Sequence, residues 1–73
     1  MRTTSTVETL LKIALDGSAE AATREEAVRA LNYVWKWESV PQASRALEAL
    51  ERIAAEVAGS VQHAAVKALG DMY

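Results

Sequence analysis

One short helical pattern occurs twice in this chain, about 40 residues apart. The segment 27–31 (Ala-Val-Arg-Ala-Leu) returns as 65–69 (Ala-Val-Lys-Ala-Leu), 38 positions later. Upstream, the segment 10–14 (Leu-Leu-Lys-Ile-Ala) returns as 50–54 (Leu-Glu-Arg-Ile-Ala), 40 positions later. A period of this size is typical of repeats that are built from a pair of helices.

The composition also favours helices. Fifteen of the 73 residues are alanine, Phe is absent, and there are only three glycines and one proline; this balance favours helices over strands. The two units would span about 6–38 and 40–72, within a single domain over residues 1–73. We therefore predict an all-α fold with four helices in two antiparallel hairpins. The hairpins could stack as an open repeat pair or close into a compact four-helix bundle, and both arrangements are compatible with the sequence.

Apolar spacing and helix start and stop signals predict the limits of the four helices. We expect them from Val7 to Asp16, from the cap Thr23 to Trp37 or Glu38, from the break at residues 39–42 to about Val57, and from the cap Ser60 onward. Three candidate capping boxes support these starts: Ser5 with Glu8, Thr23 with Glu26, and Ser39 with Gln42. Gly17 could stop the first helix by adopting a left-handed conformation, and Gly59 ends the third.

Each predicted helix carries an apolar stripe that should form the core. The cleanest is in helix three, where the apolar residues are spaced at three and four: Ala43, Ala46, Leu47, Leu50, Ile53, Ala54 and Val57. In helix two, Trp35 falls beside Val28 at the edge of the core stripe, so we predict that it is buried. On the outer face of helix three, Glu48 and Arg52 lie one turn apart and could form an ion pair.

The second helix of each unit resembles the HEAT-repeat superfamily of armadillo-type helical repeats, whose second helix commonly reads Val-Arg-x-x-Ala-x-x-Ala-Leu-Gly. Residues 23–32 read Thr-Arg-Glu-Glu-Ala-Val-Arg-Ala-Leu-Asn, and residues 61–70 read Val-Gln-His-Ala-Ala-Val-Lys-Ala-Leu-Gly. The first copy departs at Thr23 and Asn32, and the second at Gln62, where the family usually carries Arg. The resemblance implies stacked helix pairs that bind proteins or, less often, nucleic acids.

Two repeat units leave apolar end faces, because such units stabilise one another by stacking and about three are usually needed. Either the helices close into a bundle that hides those faces, or another chain covers them. We therefore expect self-association or a tight complex with a protein partner.

A basic and aromatic stripe on helix two is the predicted partner-binding surface. It consists of Arg29, Tyr33, Lys36 and Trp37, and Lys67 matches Arg29 in the second copy. A protein with acidic side chains, or with groups that pack on aromatic rings, would suit this stripe. The alternative is a nucleic acid whose bases stack on the two rings. The net charge of −2 favours the protein partner. Two interpretations without a binding role stay open. The stripe is a solvated helix face, or Trp37 packs on the turn at Pro41.

The sequence does not predict a catalytic site. The chain has no Cys and one histidine, His63, which we expect on the surface in the first turn of helix four. We predict no catalytic residues, no metal site, no cofactor and no small-molecule substrate, and therefore no enzyme. The polar segment 1–6 lacks the apolar core of a signal peptide, and no apolar run reaches the ~20 residues of a membrane span. These features predict a soluble, cytoplasmic protein.

Overall fold

The part of the chain that the structure describes folds into four α-helices. The computed structural model describes residues 6–38 and 40–72, without the side chains of residues 6 and 72. The helices are α1 (Thr6–Leu15), α2 (Ala21–Trp37), α3 (Val40–Glu56) and α4 (Ser60–Met72), and this described part contains no strand. The predicted all-α, four-helix fold class is confirmed.

The helices pack in two layers. Each helix packs against the next in the chain, and α1 also packs on α3 and α2 on α4, whereas α1 and α4 barely meet. A closed up-and-down bundle would bring its first and last helices together as well. The molecule measures 31 × 30 × 17 Å, and its smallest dimension suits two layers of helices whose axes lie about 8–10 Å apart. The two hairpins therefore lie side by side, with α1 and α3 in one layer and α2 and α4 in the other.

The core lies between these layers and takes side chains from all four helices. Its largest fully buried members are Leu31, Leu50, Ile53 and Val28, and the other buried hydrophobic residues are Val7, Ala14, Ala27, Ala46, Ala49, Val57, Val61, Ala65 and Ala68. Of the predicted stripe on α3, four residues are buried and Ala43, Leu47 and Ala54 are half-buried. Trp35 is half-buried and packs against the edge of the core, so its predicted burial is only partly correct.

The turn after α1 is formed by Asp16 and not by a left-handed glycine. Among the glycines of the described residues only Gly59 has a positive φ, at 83°, so the prediction for Gly17 is wrong. The Asp16 carboxylate accepts hydrogen bonds from the Ser18 backbone N–H at 2.9 Å and from the Ser18 hydroxyl at 2.7 Å. Such a side chain replaces the backbone turn that a glycine would otherwise provide.

Helix α2 begins earlier than its predicted cap. It starts at Ala21, with Glu20 at the N-cap position and no side-chain capping bond, so Thr23 lies inside the first turn and the predicted cap is wrong. The reason is that Ala21 and Ala22 are strong helix formers and extend the helix toward its N-terminus. The Arg24 N–H donates to the Glu20 carbonyl at 3.1 Å and closes this first turn.

Helix α4 also begins one residue before expectation. Ser60 is its first residue and not its cap, and the His63 N–H donates to the carbonyl of Gly59 at 3.1 Å. The positive φ of Gly59 is readily available only to glycine, and it reverses the chain between α3 and α4. The two other candidate caps, Ser5 and Ser39, lie outside the described residues.

The ion pair on the outer face of α3 differs from the predicted one. Arg52 donates to Glu56 at 2.9 Å, one turn further along the helix, and not to Glu48. Both carboxylates lie one turn from the same guanidinium, and an exposed pair of this kind is worth only about 0.3–0.5 kcal/mol. Spacing alone therefore does not select between the two partners.

Each hairpin contains a side-chain hydrogen bond between its two helices, and the two bonds are at matching positions. The Arg24 Nε donates to the Ala14 carbonyl at 2.9 Å, and the Gln62 Nε2 donates to the Ala54 carbonyl at 2.8 Å. Both carbonyls lie in the last turn of a helix, where backbone acceptors have no partner within the helix. Each bond therefore ties the second helix of a hairpin to the end of the first, and Gln62 takes the place of Arg24.

We expect this bond to contribute measurably to stability. Arg24→Met removes the donor, and loss of a hydrogen bond from a charged group should lower the free energy of unfolding by about 1.5–3 kcal/mol. Arg24→Gln should lose less, because Gln62 makes the equivalent bond. Urea unfolding followed by circular dichroism measures both, with Arg45→Met at an exposed site on α3 as the control. Equal losses in Arg24→Met and Arg45→Met would contradict this role.

The turn at Asp16 should be visible in an acid titration. The hydrogen bonds from the Ser18 hydroxyl and N–H lower the pKa of Asp16 below its ordinary value of 3.8. Because the carboxylate is the form that accepts these bonds, they hold at neutral pH and are lost as the pH falls through the lowered pKa. Ser18→Ala should raise the pKa of Asp16, as measured by NMR titration of its carboxyl carbon. An unchanged pKa would mean that the hydroxyl does not bond to the carboxylate in solution.

Candidate partner-binding site

Two aromatic rings project from α2 into solvent. Tyr33 is 66% exposed and Trp37 is 69% exposed, and their ring centroids lie 6.0 Å apart with the planes tilted by 48°. Residues one turn apart on a helix meet in this way. Trp37 is therefore an exposed partner of Tyr33, and the alternative in which it packs on the turn at Pro41 is wrong.

A groove of about 440 Å³ runs between α2 and α4. Its walls are formed by Glu25, Val28, Arg29 and Asn32 from α2, and by Ser60, His63, Ala64, Lys67, Ala68 and Asp71 from α4. Arg29 and Lys67, which occupy matching positions in the repeated pattern, thus line one groove from opposite helices. Tyr33 and Trp37 continue from Arg29 at four-residue spacing, so the aromatic pair lies next to this groove.

The cations of the predicted stripe are accessible. Arg29 forms an ion pair with Glu26 at 3.2 Å, but the two side chains are 70% and 69% exposed, and such surface pairs bind weakly. Lys67 and Lys36 are exposed as well, although Lys36 is not part of the groove wall. Because Glu25 and Asp71 line the same groove, its charge is mixed and not uniformly positive.

The groove contains one buried polar atom without a partner. The Oδ1 atom of Asn32 is buried and has no hydrogen bond. Most buried side-chain acceptors in proteins are satisfied, so an exception requires a physical reason. In the free protein this oxygen lowers the stability of the seam between α2 and α4, because it has lost its contact with water without gaining a donor.

Sequence reasoning did not find the residues that shape this groove. Asn32 stands out in the sequence only as a departure from the repeat pattern, and Glu25 does not stand out at all. His63 is exposed as predicted, but it also lines the groove. A usable signal was present: the 38-residue offset that matches Arg29 with Lys67 also matches Glu25 with His63.

Two further features are absent from the part of the chain that the structure describes. No group of three or more His, Cys, Asp or Glu side chains among residues 6–38 and 40–72 could hold a metal ion. None of the helices within these ranges is long and apolar enough to cross a bilayer.

Comparison with known proteins returns no family model, no curated protein and no solved structure that matches this chain. The HEAT-like resemblance therefore stays a prediction, and it depends on residues 23–32 and 61–70.

We expect removal of the unsatisfied amide at Asn32 to stabilise the protein. Asn32→Ala eliminates a buried acceptor whose desolvation costs about 1–3 kcal/mol, and alanine is also the better helix former. The free energy of unfolding, measured with urea, should rise. Ser44→Ala, at an exposed position of α3, controls for the gain in helix propensity alone. If Asn32→Ala gains no more than Ser44→Ala, the amide is already satisfied in the free protein.

Proposed function

We propose that this chain is a non-catalytic module that binds another polypeptide through α2, as a small adaptor, inhibitor or assembly subunit. The observation that carries the proposal is the exposed pair Tyr33 and Trp37. Two large rings that lie side by side in solvent leave a contiguous apolar surface, and such surfaces are typical of interaction sites. Trp and Tyr are also enriched among the residues that dominate binding energy. A cytoplasmic location and a HEAT-like pair of repeats are parts of the same proposal.

The groove beside the aromatic pair indicates the chemistry of the partner. Arg29 can form a two-pronged hydrogen bond with a carboxylate, and Lys67 on the opposite wall adds a second positive charge. An extended segment with an acidic side chain next to an apolar one would satisfy all of these groups.

A protein suits the site better than a nucleic acid does. The carboxylates of Glu25 and Asp71 line the groove together with Arg29 and Lys67, so a phosphate backbone would meet repulsion as well as attraction. A nucleic-acid site usually presents a basic stripe of one sign, and the net charge of this chain is −2. A salt-dependent gel shift with single- or double-stranded nucleic-acid probes would instead favour nucleic-acid binding.

The decisive test is the double substitution Tyr33→Ala with Trp37→Ala. Truncation of interface hot spots costs about 2 kcal/mol or more in binding, so affinity for the partner should fall at least tenfold while helicity by circular dichroism is unchanged. Affinity purification with mass spectrometry identifies proteins retained by the native chain, and titration calorimetry then measures the loss.

Val40→Ala is the matched control, because Val40 is 77% exposed but lies outside the stripe. The control should bind as tightly as the native chain. A double variant that binds with native affinity would remove α2 as the binding surface. Loss of helicity in the double variant would instead show that the rings support the fold.

A further inference from the structure

The two hairpins differ in how one matching valine is covered. Val28 in α2 and Val66 in α4 occupy the same place in the repeated pattern, 38 positions apart. Val28 is 2% exposed and lines the seam against α4, whereas Val66 is 53% exposed. Helix α4 thus covers α2, and no helix of the described part covers α4 in the same way.

The free side of α4 is shaped to receive another helix. We define the tail face as Val66 and Gly70 of α4, which match Val28 and Asn32 of α2, together with His63 at its edge, which matches Glu25 and also lines the groove. A Cβ added at Gly70 would meet no atom within 4 Å, so this face is open. Where α2 presents the side chain of Asn32 to its neighbour, α4 presents only the backbone of a glycine.

The opposite side of α2 is equally uncovered. On α4, the residues that line the seam with α2 include Ala64, Ala68 and Asp71. Their matching positions on α2 define the head face, which consists of Glu26, Ala30 and Tyr33. Glu26 and Tyr33 are exposed and Ala30 is half-buried, and Trp37 extends this face by one turn.

The head and tail faces complement each other in size and in charge. The large Tyr33 ring would lie opposite the bare backbone at Gly70, whereas within the chain the smaller Asp71 and Asn32 line the same groove. The head face carries the acid Glu26, whose ion pair with Arg29 is exposed and weak, and His63 and Lys67 lie at the edge of the tail face, where they also line the groove. An acid would thus meet a base across the contact, where Ala64 occupies the place of Glu26 within the chain.

We infer that a second copy of this chain docks head to tail, with α2 of one molecule covering α4 of the next as α4 covers α2 within the chain. The inference rests on the proposed function, because Tyr33 and Trp37 serve both, and it names the partner as a second copy. Head and tail are different surfaces, so the contact is heterologous. Repeated contacts of this kind build a linear assembly or a ring of molecules. A two-fold symmetric dimer would not use these faces in this way.

Two variants, each blocked at one face, test the inference by sedimentation velocity. Val66→Glu blocks the tail and adds repulsion from Glu26 of the docked molecule, and Tyr33→Lys blocks the head and adds repulsion from Lys67. The native chain should form species larger than a dimer as its concentration rises, and each variant alone should be monomeric. An equimolar mixture should form a dimer of twice the monomer mass and nothing larger, because one intact head meets one intact tail. Ser44→Glu, exposed on α3 and on neither face, should assemble like the native chain.

Cysteine cross-linking gives a second measurement that does not depend on these charge substitutions. The chain has no cysteine of its own. Molecules with Val66→Cys mixed with molecules with Ala30→Cys should form the mixed disulfide, with at least tenfold less of either like-with-like product. Circular dichroism confirms that each variant is folded.

Three results would overturn the inference. They are a native chain that stays monomeric at millimolar concentration, a single-face variant that forms a dimer alone, and a mixture that does not associate. None of them bears on another protein partner, since Val66→Glu leaves the stripe on α2 intact. Binding of a different protein that is lost in the Tyr33→Ala and Trp37→Ala double variant would then still support the proposed function.

Discussion

Close packing through alanine is the constraint on which this fold depends. Alanines are six of the thirteen buried hydrophobic residues in the described part of the chain. A side chain of one carbon lets neighbouring helices approach closely, but it removes little apolar surface from water. Stability therefore relies on a few larger residues, above all Leu31, Leu50 and Ile53, and on hydrogen bonds such as those of Arg24 and Gln62 that join the ends of paired helices.

The fold was largely predictable because its information is periodic. Apolar residues at three- and four-residue spacing define helices regardless of their neighbours, and the two-copy pattern correctly placed Arg29 and Lys67 near each other. Helix ends were less predictable, because they depend on competition between local signals. Thr23 does not cap α2, because the two alanines that precede it extend the helix. Gly17 does not adopt a left-handed conformation, because Asp16 already forms the turn.

The candidate site was predictable only in part, for a geometric reason. Helical rotation of about 100° per residue places Tyr33 and Trp37 away from the core stripe, so their place on the outside of α2 follows from the sequence. The groove does not, because its width depends on how far α4 lies from α2 and on the side chains that fill the seam. Asn32 illustrates the limit: its sequence neighbours mark it as an amide beside a buried leucine, but only the packing shows that its oxygen has no donor.

The two-layer arrangement has a consequence for how the molecule opens. Helices α2 and α3 each pack on three others, whereas α1 and α4 each pack on two. Regions with fewer neighbours open at lower free-energy cost. Transient unfolding should therefore start at the two outer helices and reach the central pair last, so that the slowest-exchanging amides lie around Leu31 and Leu50. A molecule that binds to α4 would suppress the local unfolding of this helix. Its binding would therefore change the dynamics of the protein as well as its surface.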